Sequence, residues 1–176
     1  MRKFNVVLPL IGAIALSACA PATPTPEWPI VSTETPNDAD ALRGAPHGKG
    51  VFLINVSELA KMNRFLGLIA DSSHAGMLEQ GIEPDFVIVF IGPGVRLLSA
   101  NPSAEMIAEY GDSLFKTAAL VNKLSEAGVQ MELCSVAASM VGLNHEDVLP
   151  EIKVVRDGFV SLIGYQAKGY GLVPVL

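Results

Sequence analysis

The sequence predicts an α/β fold, a three-layer sandwich in which a five-stranded parallel sheet lies between two layers of helices. Two observations predict it. Five short apolar runs lack the alternating apolar and polar residues of strands that have one face in water. This indicates strands buried on both faces. The segments between these runs carry apolar residues at helical spacing. Strands and helices therefore alternate along the chain, as right-handed crossovers in a parallel sheet require.

The predicted strands differ in the strength of their apolar pattern. The first two are continuous apolar runs, Val51 to Ile54 and Phe86 to Ile91. The other three are weaker versions of the same pattern, Val129 to Leu133, Ile152 to Val155 and Leu172 to Leu176. Because runs of this kind have no water-facing side, helices are expected to cover both faces of the sheet.

Helical periodicity is clearest in two of the intervals. The first interval contains Leu59, Met62, Leu66 and Ile69. The segment before the third strand contains Leu114, Ala118, Val121 and Leu124. In each set the apolar side chains share one face of a helix, the face expected to pack on the sheet. Asp112 is the expected N-cap of the second helix, and Gly128 stands just past its end.

Two more helices complete the predicted alternation. One is expected from Ser135 to Val141, with Gly142 at its C-terminal end. The other is expected from about Asp157 to Lys168, where Gly169 ends it. The predicted order is then strand and helix in strict alternation, ending on the fifth strand.

The N-terminal segment has the pattern of a lipoprotein signal peptide, predicted over residues 1–18. Arg2 and Lys3 precede an apolar run that is too short to cross a bilayer, for which about 20 residues are needed. The run ends in Leu-Ser-Ala-Cys at residues 16–19, which resembles the lipobox of bacterial lipoproteins. The resemblance implies cleavage before Cys19 and acylation of Cys19. The alternative is an ordinary cleaved signal with a free cysteine nearby.

Residues 19–47 are predicted to be the lipidated cysteine and a proline-rich tether, and the α/β domain is expected over residues 48–176. Prolines between Ala20 and His47 are interleaved with Thr, Ser, Asp and Glu, a composition that cannot bury enough apolar surface to offset its ordering entropy. We therefore expect a domain held outside the cytoplasm, anchored by lipid to the cell membrane or the outer membrane on its periplasmic side.

The charge balance argues against a nucleic-acid partner. The chain has a formal net charge of −6 at pH 7 and only 6% aromatic residues. Removal of Arg2 and Lys3 with the signal peptide makes the mature chain more acidic still. An acidic surface repels phosphate backbones, and few aromatic side chains are left to stack on bases.

Cys134 is the candidate catalytic residue. The chain has two cysteines, so lipidation of Cys19 leaves Cys134 without an intramolecular disulfide partner. Cys134 ends a predicted strand and precedes a predicted helix, where unpaired N–H groups favour the thiolate form. A thiolate attacks sulfur or holds a persulfide. The alternative is that Cys134 is a small buried hydrophobic residue.

A second candidate feature is a ligand site at the same edge of the sheet. Gly92 and Gly94 lie in a Gly-Pro-Gly loop after the second strand, and Ser135 follows the third. Their backbone N–H groups are positioned to approach an anion, although a tight turn also explains the two glycines. The loop matches neither the dinucleotide-binding fingerprint nor the phosphate loop.

The three histidines do not suggest a metal site. None of His47, His74 and His145 has metal-ligand spacing to another or to Cys134. His74 is expected at the C-terminus of the first helix, and His145 is expected on the surface in a first turn. No metal and no cofactor are therefore predicted, and no Ser-His-Asp arrangement can be assigned.

From about Gly48 to Leu176 the chain resembles the DsrE/DsrF-like (YchN-like) family. Four stretches carry the resemblance: residues 92–98, residues 127–129 leading to Cys134, residues 142–152 and residues 166–170. The resemblance implies a five-stranded parallel sheet, a homo-oligomer and, in some members, a sulfur relay through a cysteine after the third strand, here Cys134. Close relatives often have a histidine before Gly-Pro-Gly, where this chain has Ile91.

Two functions are consistent with these features. The first is a membrane-anchored sulfur carrier or sulfur relay that holds a persulfide on Cys134, a sulfurtransferase-like role with a sulfur donor or a thiol protein as partner. The second is a non-catalytic, oligomeric binding or assembly module at the membrane surface. In either case the expected partners are the membrane, through lipid on Cys19, and further copies of the chain.

Overall fold

A five-stranded, all-parallel sheet forms the centre of the computed structural model, which describes residues 35–176. The strands are β1 Gly48–Ile54, β2 Pro84–Phe90, β3 Gln130–Cys134, β4 Lys153–Val155 and β5 Gly171–Val175, in the order β4-β3-β2-β1-β5. The α/β fold class and the five-stranded parallel sheet predicted from the sequence are confirmed. The two continuous apolar runs form β1 and β2, which lie beside each other near the middle of the sheet, where both faces are covered.

Seven α-helices connect and flank these strands in the described part of the chain. They are α1 Ala39–Leu42, α2 Leu59–Leu68, α3 His74–Glu79, α4 Ala104–Tyr110, α5 Asp112–Glu126, α6 Ser135–Val141 and α7 Gly158–Ala167. A π-helical turn, Ile69–Ser73, joins α2 to α3, and 3-10 turns cover Pro93–Leu98 and His145–Asp147. The short helix α1 lies in the stretch predicted as tether and has no buried residue.

Two helix ends differ from the sequence prediction. Asp112 is the first residue of α5 and not its N-cap, because Gly111 takes the cap position with a φ of 50°, a backbone conformation that glycine adopts without strain. His74 was expected at a helix C-terminus, and this is wrong, since α3 begins there and continues to Glu79. The imidazole of His74 packs edge-on against Phe86, with 6.1 Å between ring centroids.

The two faces of the sheet are covered unequally. Three successive crossovers, from β1 to β2 to β3 to β4, each move one strand in the same direction across the sheet. Because crossovers between parallel strands are right-handed, the helices of all three lie on the same face. The fourth connection returns from β4 to the far side of β1, which places α7 on the opposite face. The main core lies under α2 and α5, whereas a small core of Val51, Val87, Val89 and Leu162 lies under α7.

Candidate functional site

The carboxyl ends of the three central strands border a cleft at one edge of the sheet. Parallel strands present these ends together, and ligands of open parallel sheets bind there. The cleft has a volume of about 340 Å³ and is lined mainly by apolar side chains: Asn55, Ile91, Gly92, Cys134, Val136, Ala137, Met140, Asp157 and Phe159. Cys134 and Gly92, two of the residues predicted from the sequence, therefore lie in the same cleft.

Cys134 is the last residue of β3 and the cap residue of α6. Its backbone is extended (φ −69°, ψ 117°), so the chain turns from strand to helix at this residue. The side chain is a free thiol, and only 6% of the residue is exposed. Cys134 thus lines the cleft and also belongs to the hydrophobic core.

The N-terminus of α7 packs directly on Cys134 through Gly158. A Cβ atom added to Gly158 would lie 3.1 Å from Cys134 Cβ and 2.7 Å from Ile91 Cγ2, too close to fit without movement. The preceding residue, Asp157, caps α7 by accepting a hydrogen bond from the Phe159 N–H at 2.8 Å. Cys134 is therefore flanked by the starts of two helices, α6 and α7.

The Gly-Pro-Gly loop is shaped by close contacts with the end of β1. Gly92 has a φ of 71°, and a Cβ atom there would lie 2.1 Å from Asn55 Oδ1. A Cβ atom on Gly94 would lie 1.7 Å from the carbonyl oxygen of Val56. Gly94 is buried and does not line the cleft. The tight approach of two chain segments thus explains both glycines, and Gly92 alone faces the Cys134 cleft.

Ser135 lies outside this cleft and contacts a histidine. Its hydroxyl is 3.0 Å from Nε2 of His145, and the exposed His145 lines a separate depression beside the end of α6. The sequence predicts a surface position for His145, but no local pattern pairs it with Ser135. The pairing depends on the turn at Gly142, whose left-handed φ of 70° reverses the chain after α6.

Two tyrosine–carboxylate pairs lie on the α7 face of the sheet. Tyr165 donates its hydroxyl hydrogen to Glu132 Oε1 at 3.0 Å, and Tyr170 donates to Asp85 Oδ2 at 2.8 Å. The two rings pack edge to face with 5.2 Å between centroids. Burial, followed by the hydrogen bond to a carboxylate, raises the pKa of each tyrosine to about 12, so both are neutral phenols at physiological pH.

Neither a metal centre nor a membrane-crossing helix is found in residues 35–176. No three His, Cys, Asp or Glu side chains in that range come close enough together to hold a metal ion. No helix in the same range has both the length and the apolar character needed to cross a bilayer. The predicted lipid site, Cys19, and the predicted signal peptide lie outside the described residues.

Comparison with known proteins gives one family and a set of similar folds. The model of the DsrE/DsrF-like family matches residues 47–175. No curated protein matches the chain. A protein of unknown function from Methanobacterium thermoautotrophicum is 20% identical and has a TM-score of 0.52, over 71% of this chain and 96% of that one.

Two further solved structures are similar to this chain. The ychN protein of E. coli is 14% identical, with a TM-score of 0.52 over 72% of this chain and 98% of its own. A conserved protein of unknown function from Bacteroides thetaiotaomicron is 16% identical, with a TM-score of 0.50 over 73% and 95% of the two chains. At these identities the structural likeness extends to the fold alone.

Proposed function

This chain belongs to the DsrE/DsrF-like family, and from that premise we propose that it is a membrane-anchored sulfur carrier that holds a persulfide on Cys134. One observation carries the proposal. The thiol of Cys134 lies in a mostly apolar cleft at the carboxyl edge of the sheet, beside the N-terminus of α7. Apolar walls suit a soft, polarizable sulfur atom, whereas a phosphate or sugar would find few partners there.

The transfer step is a thiol–persulfide exchange without net oxidation. The Cys134 thiolate attacks the outer sulfur of a donor persulfide, R–S–S–H. A bond forms between Sγ and that sulfur, the donor S–S bond breaks, and the donor leaves as the thiolate R–S⁻. The product is Cys134–S–S–H, and an acceptor thiolate removes the outer sulfur by the same reaction in reverse. No metal or cofactor takes part in this exchange.

The surroundings of Cys134 explain how such an intermediate is kept. With only 6% of the residue exposed, a persulfide on Cys134 has little contact with bulk solvent and its oxidants. The rim of the cleft carries Met140 and Phe159, which are 83% and 62% exposed. A methionine side chain is flexible and tolerates changes of shape, so movement of Met140 opens the path by which a donor reaches the thiol.

The proposal is tested by intact-mass measurement after exposure to inorganic polysulfide. The full chain with Cys19→Ser is used, because Cys134 is then its only thiol. We expect the mass of one added sulfur atom, located on Cys134 and removed by a small thiol. Cys134→Ser in the same background is the matched control and should gain nothing. If the folded protein gains no sulfur, or gains it equally in the control, the sulfur-carrier proposal is wrong.

We propose lipid on Cys19 as the anchor, with the domain on the periplasmic side of the cell membrane or outer membrane. The lipobox pattern at residues 16–19 supports this step. Detergent extraction of the expressed full chain should yield a product that begins at acylated Cys19 and fractionates with membranes. Cys19→Ser should abolish acylation and release the protein from the membrane fraction, and a variant that remains acylated elsewhere would contradict the assignment.

A second function is favoured by the surface of α7. Phe159, Val160 and Ile163 are 62%, 65% and 66% exposed, and Leu172 and Val173 of β5 are about two-fifths exposed. Exposed apolar groups on this scale are typical of an interface. The second candidate is therefore an oligomeric assembly module in which α7 contacts another copy and Cys134 plays no chemical part.

The two functions predict different results for one pair of variants. For the assembly module, Ile163→Asp should lower the mass measured by light scattering to that of a monomer and abolish function, and Cys134→Ser should change neither. For the sulfur carrier, Cys134→Ser should abolish the uptake of sulfur from polysulfide, and the mass of the oligomer should not change. A wild-type chain that is monomeric at micromolar concentration would rule out the assembly module.

A further inference from the structure

A second cavity, of about 420 Å³, lies beside β3 at the edge where β4 begins. Six of its lining residues carry polar side chains: Ser125, Gln130, Glu132, Glu151, Lys153 and Tyr165. β4 pairs with β3 only from Lys153 onward, opposite Glu132. The first two residues of β3 therefore have no strand on that side, and the gap in the sheet edge forms the cavity.

Glu132 is a buried carboxylate with one oxygen unsatisfied. The residue is 8% exposed, and Oε1 accepts the Tyr165 hydroxyl at 3.0 Å. Oε2 is shielded from solvent and has no hydrogen-bond partner among the described residues. Its neighbour in the sheet, at the same register on β2, is the fully buried Val89. A carboxylate in such surroundings is costly unless something donates to it.

Lys153 lies on the neighbouring strand β4, but it does not serve as that donor. It is the register partner of Glu132 on the adjacent strand, and the spacing of neighbouring strands is about 4.8 Å. The two side chains nevertheless form no ion pair, and Lys153 is exposed. A carboxylate oxygen and an ammonium group, both without a partner in residues 35–176, thus border one cavity.

We propose that this cavity binds a small zwitterion of the amino-acid class, with its ammonium group on Glu132 and its carboxylate on Lys153. Glu132 lines the cavity, and rotation about the last side-chain bond of a glutamate is soft, so a ligand ammonium draws Oε2 toward the cavity. Glu151 adds a second negative charge on the ammonium side. A phosphate ester would meet two carboxylates and only one lysine, which excludes that class of ligand.

The test is calorimetric titration of the full chain with glycine and with L-alanine. We expect saturable binding of both, reduced at least tenfold in Glu132→Gln and in Lys153→Ala. Glu132→Gln keeps an acceptor for Tyr165, and Lys153 is exposed, so both variants should fold. Lys116→Ala, an exposed lysine on the opposite face, is the matched control and should bind as the wild type does.

Single-charge probes separate the zwitterion from simpler ligands. Ethylammonium and acetate should each bind at least tenfold more weakly than glycine, because each engages only one end of the site. The proposal is overturned if neither glycine nor L-alanine binds, if Glu132→Gln binds them unchanged, or if ethylammonium binds as tightly as glycine. Cys134→Ser should bind both amino acids normally, so this result does not depend on the sulfur-carrier proposal.

Discussion

The two faces of the sheet differ in the size of their core and in their buried polar groups. The face under α2 and α5 holds the large side chains of the core, and its one buried polar pair within residues 35–176, Asn63 and Thr117, is fully satisfied. There, Thr117 donates to Asn63 Oδ1 at 2.7 Å and Asn63 donates to the carbonyl of Ser113 at 2.9 Å. The face under α7 has a small core and an unsatisfied Glu132 oxygen. Cys134 lies where α7 begins.

This difference indicates that the α2 and α5 layer provides most of the stability, whereas the candidate functional groups lie on the α7 side. The face covered by three crossovers holds most of the buried apolar side chains, and their burial is the main source of stability. The single helix on the other face then tolerates groups that a tightly packed core would exclude. Buried titratable groups and exposed apolar surface cluster at functional sites for this reason, and the comparison can be tested by substitutions matched across the two faces.

The largest expected effect is on the α2 and α5 face. Leu66 is fully buried there, so Leu66→Ala should lower the free energy of unfolding by about 3 kcal/mol, through lost burial and a residual cavity. The matched substitution on α7 is Ile163→Ala, at a residue 66% exposed, for which we expect a change below about 0.5 kcal/mol. Urea unfolding of both variants measures the contrast, and equal losses would show that α7 is buried in solution.

The next effect is at the contact between α7 and Cys134. Gly158→Ala places a methyl group 2.7 Å from Ile91 Cγ2, so we expect a loss of about 1–3 kcal/mol and faster modification of Cys134 as α7 moves outward. Gly164→Ala in the same helix has open space around its Cβ and should stabilise by about 0.5–1 kcal/mol. Thermal unfolding of the two variants measures the change in stability, and the rate of thiol modification measures access to Cys134. Slower modification in Gly158→Ala would contradict an outward movement of α7.

A smaller effect should appear at alkaline pH. The pKa of Tyr165 and of Tyr170 is raised to about 12 in the folded protein, from an ordinary value of 10.0. The neutral phenols therefore stabilise the fold fully below pH 10, and this contribution is lost as the pH rises through about 12. Tyr165→Phe with Tyr170→Phe should flatten the fall in stability over that range. An unchanged pH profile in the double variant would show that the two hydroxyls titrate normally.

The smallest effect is expected on the outer rim of the well-packed face. Lys123 pairs with Asp71 at the surface, where both side chains are more than half exposed. Solvent and salt screen such pairs, so Lys123→Ala should cost only about 0.2–0.5 kcal/mol, and less in 1 M salt. A loss as large as that of Leu66→Ala would mean that the α2 and α5 layer depends on this ion pair.

Sequence patterns predicted the scaffold better than the site. The apolar runs of β1 and β2 and the turn from β3 into α6 at Cys134 follow from local signals that the sequence shows directly. The strand starts at Gly48 and Pro84 were missed, because glycine and proline are not typical of strands. The contact of Gly158 with Cys134, and the Ser135–His145 pair, depend on how α7 and the turn at Gly142 fold back, which no local pattern records.

Glu132 shows most clearly what periodicity cannot provide. It sits in an apolar strand between Met131 and Leu133, where a charged residue normally indicates an exposed face. Glu132 is buried instead, because α7 places Tyr165 over it. A glutamate inside an apolar run is the one signal that could have identified it, since a charge in such a place has to be satisfied by a partner from elsewhere in the fold.

The most direct test is the rate at which iodoacetamide alkylates Cys134 in the folded full chain carrying Cys19→Ser. If the thiol is reached through the cleft, the rate in native buffer should rise in proportion to reagent concentration and should exceed the global unfolding rate. If instead the rate is independent of reagent concentration and equals the unfolding rate, Cys134 is sealed in the core, and a role for its sulfur in chemistry is contradicted.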